Sequence, residues 1–228
     1  MKFHSDLFGW NYVWRNFAEE KGGEVLTDSG DEDGKLVSVS IPCSKTGLTV
    51  YFLPTAKHGK KPTSNTILAA YSANGKFAFS IFQEKMHHQL GKALGMQDIK
   101  VQDQLFDSKF MIQGSDAEIV KEIFDDVQMR ELILLQPPEL LHVDHLAHKN
   151  YPELELPVGA SAVVYQYDGV MDKLHQLENA FAIVTGVYGQ LRTVGEAGGS
   201  RVAKKAAEVQ AESENTGSHK LRSPLLDR

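Results

Sequence analysis

Residues 105–136 carry the most regular pattern of this sequence, and they constrain its fold more than any other stretch. Apolar and polar residues alternate from Phe106 to Gly114, and this period of two predicts a half-buried strand. Ser115 and Glu118 follow at the S-x-x-E spacing of a capping box, in which each side chain binds a free backbone N–H at the start of a helix. The sequence therefore predicts a strand followed directly by a capped helix.

The second half of the same stretch predicts two short helices. Apolar residues recur at helical spacing from Ile119 to Leu135, and Asp125 and Asp126 stand between two such runs. An aspartate pair at this place interrupts the first helix and caps the second, while Pro137 ends the helix because proline lacks the N–H. Each position thus has a structural reason, and we interpret the stretch as a folding core without catalytic residues.

Three runs also carry a family resemblance: L-G-M-Q-D-I at 94–99, F-D-S-K-F-M-I-Q-G-S-D at 106–116 and R-E-L-I-L-L at 130–135, with Trp14 and Ala18 as a weaker match. Together they resemble an uncharacterised family of bacterial proteins. The resemblance covers residues 94–136 and is loose elsewhere. It implies a shared fold and a bacterial source, and no activity, because the shared residues are structural.

The first half of the chain predicts a helix on an antiparallel sheet. Trp10, Val13, Trp14 and Phe17 recur at i, i+3, i+4 and i+7, which favours the core face of an amphipathic helix over a ligand pocket lined by tryptophans. The strand patterns that follow cover residues 36–41, 48–53, 66–71 and 76–81.

Turn signals separate these strand patterns. Asn74-Gly75 stands between the last two of these patterns, and Asn-Gly is a strong hairpin signal. Asp33-Gly34, before the first pattern, suits a reverse turn between two strands. Hairpins pair their strands antiparallel. We therefore predict an α+β fold: an antiparallel sheet, or two small sheets, packed against several helices with a long C-terminal one.

The C-terminal helix is predicted by a heptad pattern over residues 170–191. The apolar positions are Val170, Leu174, Leu177, Phe181, Val184, Tyr188 and Leu191. Such a seam packs a helix against the protein's own sheet or against a second copy in a homodimer. We favour packing against the protein's own sheet. Residues 1–193 are expected to form one domain, with two subdomains divided near 90–100 as the alternative. Small and polar residues predict a flexible, disordered tail over 194–228.

Charge and composition exclude several classes of protein. The net charge is −6, which argues against sequence-independent nucleic-acid binding because phosphate contacts need a basic surface. A single cysteine, Cys43, excludes an intramolecular disulfide framework. The sequence has no signal-peptide pattern at Met1 and no apolar run long enough for a membrane span. We therefore expect a soluble cytoplasmic protein.

The segment L-L-H-V-D-H-L-A-H at 140–148 is the cluster with the best ligand chemistry. Two imidazoles and a carboxylate can hold zinc or iron, so the metal candidates are His142, Asp144, His145 and His148. As a strand, the segment would separate His142 from His148 by roughly 20 Å. Solvated histidines are the favoured alternative.

No local motif of an enzyme or cofactor site occurs in the sequence. It contains no G-x-x-x-x-G-K-[ST], G-x-G-x-x-G, H-E-x-x-H or G-x-S-x-G pattern, so we expect no cofactor and lean against an enzyme. The favoured hypothesis is a non-enzymatic protein that binds a small ligand or a protein partner. The alternative is a metal-binding protein or metal-dependent enzyme that uses the 140–148 segment.

Overall fold

Nine strands form one sheet in the computed structural model, which describes residues 5–29, 36–55, 64–83 and 97–198. The strands are β1 (Glu24–Ser29), β2 (Leu36–Cys43), β3 (Leu48–Thr55), β4 (Ser64–Tyr71), β5 (Phe79–Gln83), β6 (Gln97–Ile99), β7 (Phe110–Gly114), β8 (Leu140–Asp144) and β9 (Ser161–Asp168). Their order is β1-β2-β3-β4-β9-β8-β5-β7-β6, and all neighbours pair antiparallel. The predicted antiparallel sheet is confirmed as one sheet.

Helices accompany this sheet within the same described residues. They are α1 (Ser5–Glu20, kinked at Gly9), α2 (Gln104–Lys109), α3 (Ala117–Ile123), α4 (Val127–Leu135), α5 (Ala147–Asn150), a 3-10 helix (Pro152–Leu154) and α6 (Leu174–Thr193). The predicted α+β class with a long C-terminal helix is therefore confirmed.

The first helix packs its aromatic face on the sheet, as its spacing predicts. Trp14 and Phe17 are fully buried, and their rings meet the Phe52 ring of β3 edge-on at 5.8 and 5.6 Å between centroids. The Trp14 Nε1–H donates to the backbone oxygen of Met171 at 2.8 Å, so the one polar atom of this indole is satisfied inside the core. Both tryptophans therefore belong to the core.

Helix α6 lies on the same face of the sheet, which we call the inner face. Seam residues Leu177, Val184, Tyr188 and Leu191 are buried, and Phe17 of α1 meets Phe181 at 6.4 Å between ring centroids. The seam therefore packs α6 within its own chain. A homodimer contact through residues 170–191 stays a prediction.

The prediction that a strand begins at Phe106 is wrong, because residues 104–109 are helical. Asp103 caps this helix: one carboxylate oxygen accepts from the backbone N–H groups of Leu105 and Phe106, each at 3.1 Å. The Phe106 and Phe110 rings pack in a tilted arrangement at 4.8 Å between centroids, a contact between positions four apart that a helical turn provides. Strand β7 begins only at Phe110.

The predicted capping box is also wrong in its residues, although helices begin where expected. Asp116, one position after Ser115, caps α3 by accepting from the N–H groups of Glu118 and Ile119. The Ser115 hydroxyl instead bonds to the backbone of Ala78. Asp126 caps α4, as predicted for the aspartate pair.

The predicted Asn74-Gly75 hairpin does not form. β4 pairs with β3 and β9, whereas β5 pairs with β7 and β8. The connecting segment binds the chain beyond α6 instead: Asn74 donates through its side chain to the oxygen of Gly195 at 3.0 Å, and Gly198 N–H donates to the oxygen of Ser72 at 3.0 Å. Tertiary hydrogen bonds thus replace the local turn.

Three sequence predictions fall partly or wholly on residues that lie outside the described ranges. The first is the turn at Asp33-Gly34, although β1 and β2 on either side of it pair antiparallel. The second is the alternative division into subdomains near 90–100, of which residues 90–96 lie outside, and it stays a prediction. The third is the tail, of which residues 199–228 lie outside.

The outer face of the sheet carries a second, smaller apolar cluster. It consists of Leu68 of β4, Ala162 and Val164 of β9, and Ala147 of α5, all fully buried. Tyr51, Leu53, Tyr151, Leu154 and Leu156 pack against it. The segment from α5 through the 3-10 helix therefore lies on the outer face over β4 and β9, beside the exposed part of β1–β3.

Candidate functional site

A groove lies on the outer face between strands β1–β3 and the 3-10 helix. Its volume is about 270 Å³, close to the lower end of the volumes typical of small-molecule sites. We call it the outer-face groove. Its lining residues are Leu26, Ser38, Tyr51, Leu53, Glu153, Leu154 and Glu155.

Leu26 enters the groove because strand β1 is irregular at this residue. Val25 pairs with Val39 and Thr27 pairs with Ser38, so Leu26 is an extra residue without a partner in β2. Such a bulge changes the direction of a side chain that strict alternation would fix. Leu26 keeps 41% of its surface exposed, and this apolar wall is available to a ligand.

The opposite wall comes from the turn that follows the 3-10 helix. Leu154 packs on the outer-face cluster, while Glu153 and Glu155 are exposed. Glu155 adopts a left-handed conformation with φ 48° and ψ 39°, and its N–H donates to the oxygen of Pro152 at 3.2 Å. The turn thus sets two carboxylates on either side of a partly buried leucine.

A tyrosine next to the groove has a raised pKa, and nearby negative charge is one of the causes. Burial, and then the carboxylates of Asp144 and Glu153, raise the pKa of Tyr151 to about 12. This direction is expected, because both burial and nearby negative charge disfavour the phenolate. The 3-10 helix side of the groove is therefore an acidic surface.

The lining of the groove combines apolar and acidic groups. It holds one hydroxyl, one phenol, two carboxylates and three leucines. These groups offer a ligand apolar contact and negative charge.

The structure does not bring the donor atoms of the four metal candidates in the 140–148 segment together at one point. His142 lies on the outer face of β8, paired with Val164 of β9, whereas His148 lies in α5. The Nδ1 atoms of both rings are buried without a hydrogen-bond partner in the described part of the chain. Burial lowers the pKa of His142, and Asp144 acts in the opposite direction.

Both oxygens of Asp144 already bind groups of their own chain. Oδ1 accepts from the Leu146 N–H at 2.7 Å, and Oδ2 accepts from the Asn150 side chain at 2.8 Å. Within residues 5–29, 36–55, 64–83 and 97–198, no three His, Cys, Asp or Glu side chains are grouped so that they could hold a metal ion. The metal site stays a prediction of the sequence.

His145 is half-buried and joins two other segments of the chain through hydrogen bonds. Its Nε2 lies 2.9 Å from the backbone oxygen of Phe77, and its Nδ1 lies 3.0 Å from the Ser161 hydroxyl. A carbonyl oxygen only accepts, so Nε2 carries the hydrogen, and in the neutral ring Nδ1 accepts from Ser161. Serine donating to histidine resembles an activated nucleophile, but Ser161 is only 2% exposed. No substrate can reach it.

Sequence reasoning missed the outer-face groove. The alternation E-L-E-L at 153–156 is the signal that could have drawn attention to the acidic wall. Nothing local marks Leu26 as a bulge residue, because a bulge is defined by the register with a partner strand.

Within the described residues, no helix combines the length and the apolar character that a membrane span requires.

Comparisons with known proteins support the fold alone. No family model matches the chain, and no curated protein matches it, so the resemblance to an uncharacterised bacterial family stays a prediction. A solved structure of similar fold is that of the mycobacterial trehalose monomycolate transport factor A, TtfA, with a TM-score of 0.52 and 9% identity. The match covers 83% of this chain and 98% of that one. At this identity the shared property is the architecture.

Proposed function

We propose that this protein is a non-enzymatic binding protein whose outer-face groove takes a small, mainly apolar ligand. The observation that carries the proposal is the groove itself, which three leucines and a tyrosine line beside the part of the outer face that α5 and the 3-10 helix cover. Burying apolar surface gives roughly 25 cal/mol per Å². A groove of this kind is thus a source of affinity.

Two further points support a binding role. In the Ser161–His145 pair, which comes closest to a catalytic arrangement, the serine is buried. The solved structure of similar fold belongs to a protein named as a transport factor, so this architecture also occurs in a protein assigned to transport. The proposal keeps the cytoplasmic location and bacterial source that the sequence predicts.

The test is a titration with 1-octanol, a neutral probe with an apolar chain, followed by backbone amide NMR. We expect saturable shifts at Leu26, Tyr51 and Leu53. Leu26→Ser should weaken binding about three- to tenfold, because it removes apolar contact worth about 1 kcal/mol.

Val25→Ser is the matched control. Val25 is 40% exposed on the same strand, against 41% for Leu26, and it does not line the groove. It should leave octanol binding unchanged. Equal effects of the two substitutions, or shifts that avoid the groove, would remove the basis of the proposal.

A further inference from the structure

We infer that the ligand of the outer-face groove is a cationic amphiphile: an apolar body that carries one ammonium or guanidinium group. The inference rests on the proposed function and adds the charge of the ligand. In the bound state, the apolar body lies against Leu26, Tyr51 and Leu53, and the cationic group lies beside Glu153 and Glu155.

The charge of the groove carries this assignment. Both charged residues that line it, Glu153 and Glu155, are acidic, and no Lys, Arg or His is part of the described lining. Burial, then Asp144 and then Glu153 raise the pKa of Tyr151, which lies next to the same turn. The net charge of the chain is −6, so the wider field of the protein has the same sign and favours the approach of a cation.

The arrangement of apolar and acidic groups selects against other ligand types. An anionic amphiphile would bring its head group toward two carboxylates and be repelled. A neutral apolar molecule would use the leucines and leave the carboxylates in water. A cationic amphiphile uses both parts, because its chain is buried while its charge stays at the exposed wall.

The edge strand argues for a small ligand rather than an added peptide strand. A peptide that extends a sheet needs a regular row of backbone N–H and C=O groups along the edge. β1 is an edge strand, but the bulge at Leu26 interrupts its register, and bulges of this kind protect edges from pairing. The volume of about 270 Å³ suits a short chain.

The experiment compares three probes with the same octyl chain on the full-length protein: octylammonium, 1-octanol and octanoate, each followed by amide NMR at low salt. We expect octylammonium to bind about three- to tenfold more tightly than octanol, as two exposed ion pairs allow, and octanoate to bind more weakly than octanol. Added salt should reduce the preference through screening.

Glu153→Gln combined with Glu155→Gln tests the acidic wall, since it removes two charges with little change in shape. The octylammonium preference over octanol should vanish, while octanol affinity stays the same. The matched control is Glu131→Gln with Glu178→Gln, which removes two exposed charges from α4 and α6 on the inner face. This control should retain the preference.

The outcomes distinguish a failure of the cationic-ligand inference from a failure of the proposed binding function. Octanol and octylammonium binding equally well at the groove would overturn the cationic ligand and leave the proposed function standing. A preference that survives in the Glu153→Gln, Glu155→Gln protein would also overturn it. Absence of octanol shifts at the groove would instead contradict the proposed apolar binding function.

Discussion

Gly186 of α6 lies directly against Met129 of α4, so closely that a β-carbon on Gly186 would overlap the Met129 methyl group. Gly189, one turn away, has open space where its β-carbon would stand. The two glycines of the same helix therefore have different roles. Gly186 permits the approach of α4, while Gly189 only lowers helix propensity.

We expect the alanine substitutions to separate these roles. Gly189→Ala should stabilise the protein by about 0.5–1 kcal/mol, the difference in helix propensity. Gly186→Ala has the same gain but must displace a buried methionine, so its free energy of unfolding should be lower than that of Gly189→Ala. Urea denaturation measures both. Equal stabilisation by the two substitutions would contradict the close packing of α4 on α6.

Asp103 should stabilise α2 mainly through its cap rather than through its charge pair. Its carboxylate accepts from the N–H groups of Leu105 and Phe106 and meets Arg130 Nε at 3.0 Å. Asp103→Asn keeps a capping oxygen and loses the charge, so it should destabilise less than Asp103→Ala. Equal destabilisation by the two substitutions in thermal unfolding would assign the main effect to the lost charge pair with Arg130.

The same carboxylate should contribute to acid sensitivity. The N–H of Phe106, and then Arg130, lower the pKa of Asp103. Its stabilising effect is therefore present above the unfolded pKa of about 3.9 and is lost as the pH falls through the lower folded value. Unfolding midpoints of wild type and Asp103→Ala should converge in this acid range.

His142 should make the protein less stable at mildly acidic pH. Burial lowers the pKa of its ring in the folded state, so below the unfolded pKa of about 6.5 the unfolded chain binds more protons. Stability is then constant above that pH and falls as the pH drops toward the folded pKa. His142→Leu should reduce this loss in urea titrations between about pH 7.5 and 5. An unchanged loss would show that another group is responsible.

Zinc should not stabilise the protein through the 140–148 segment. Asp144 uses both oxygens, and His145 uses both nitrogens, in hydrogen bonds within the chain. We expect stoichiometric zinc to leave the thermal midpoint of untagged protein unchanged. A rise that disappears in His142→Ala and His148→Ala would instead support the metal alternative.

The C-terminal boundary of the folded domain should fall after Gly198 rather than after Thr193. The segment 194–198 bonds to residues 72–74 and buries Ala197. A chain ending at Gly198 should keep the unfolding midpoint of the full chain, whereas one ending at Thr193 should lose stability. Equal stability of both shortened chains would place the boundary at 193, as the sequence predicts.

Local periodicity was enough to predict much of the secondary structure. The aromatic spacing from Trp10 to Phe17 and the seam that ends at Leu191 identify helices because burial on one side imposes a period near 3.6. The same reasoning was wrong at residues 106–109, since Phe106 and Phe110 satisfy both the strand period and a helical spacing of four. Asp103, three residues upstream of Phe106, decides between the two by capping a helix.

One can read the fold class, the inner-face helices and the lack of local catalytic motifs from the sequence alone, because they follow from composition and from patterns within one element. Where the Asn74 segment binds and how the groove is built depend instead on contacts between distant elements. The groove joins Leu26, Tyr51 and Glu155, which are far apart in the chain, through strand register and a bulge. Register depends on the partner strand, so no local pattern could have predicted it.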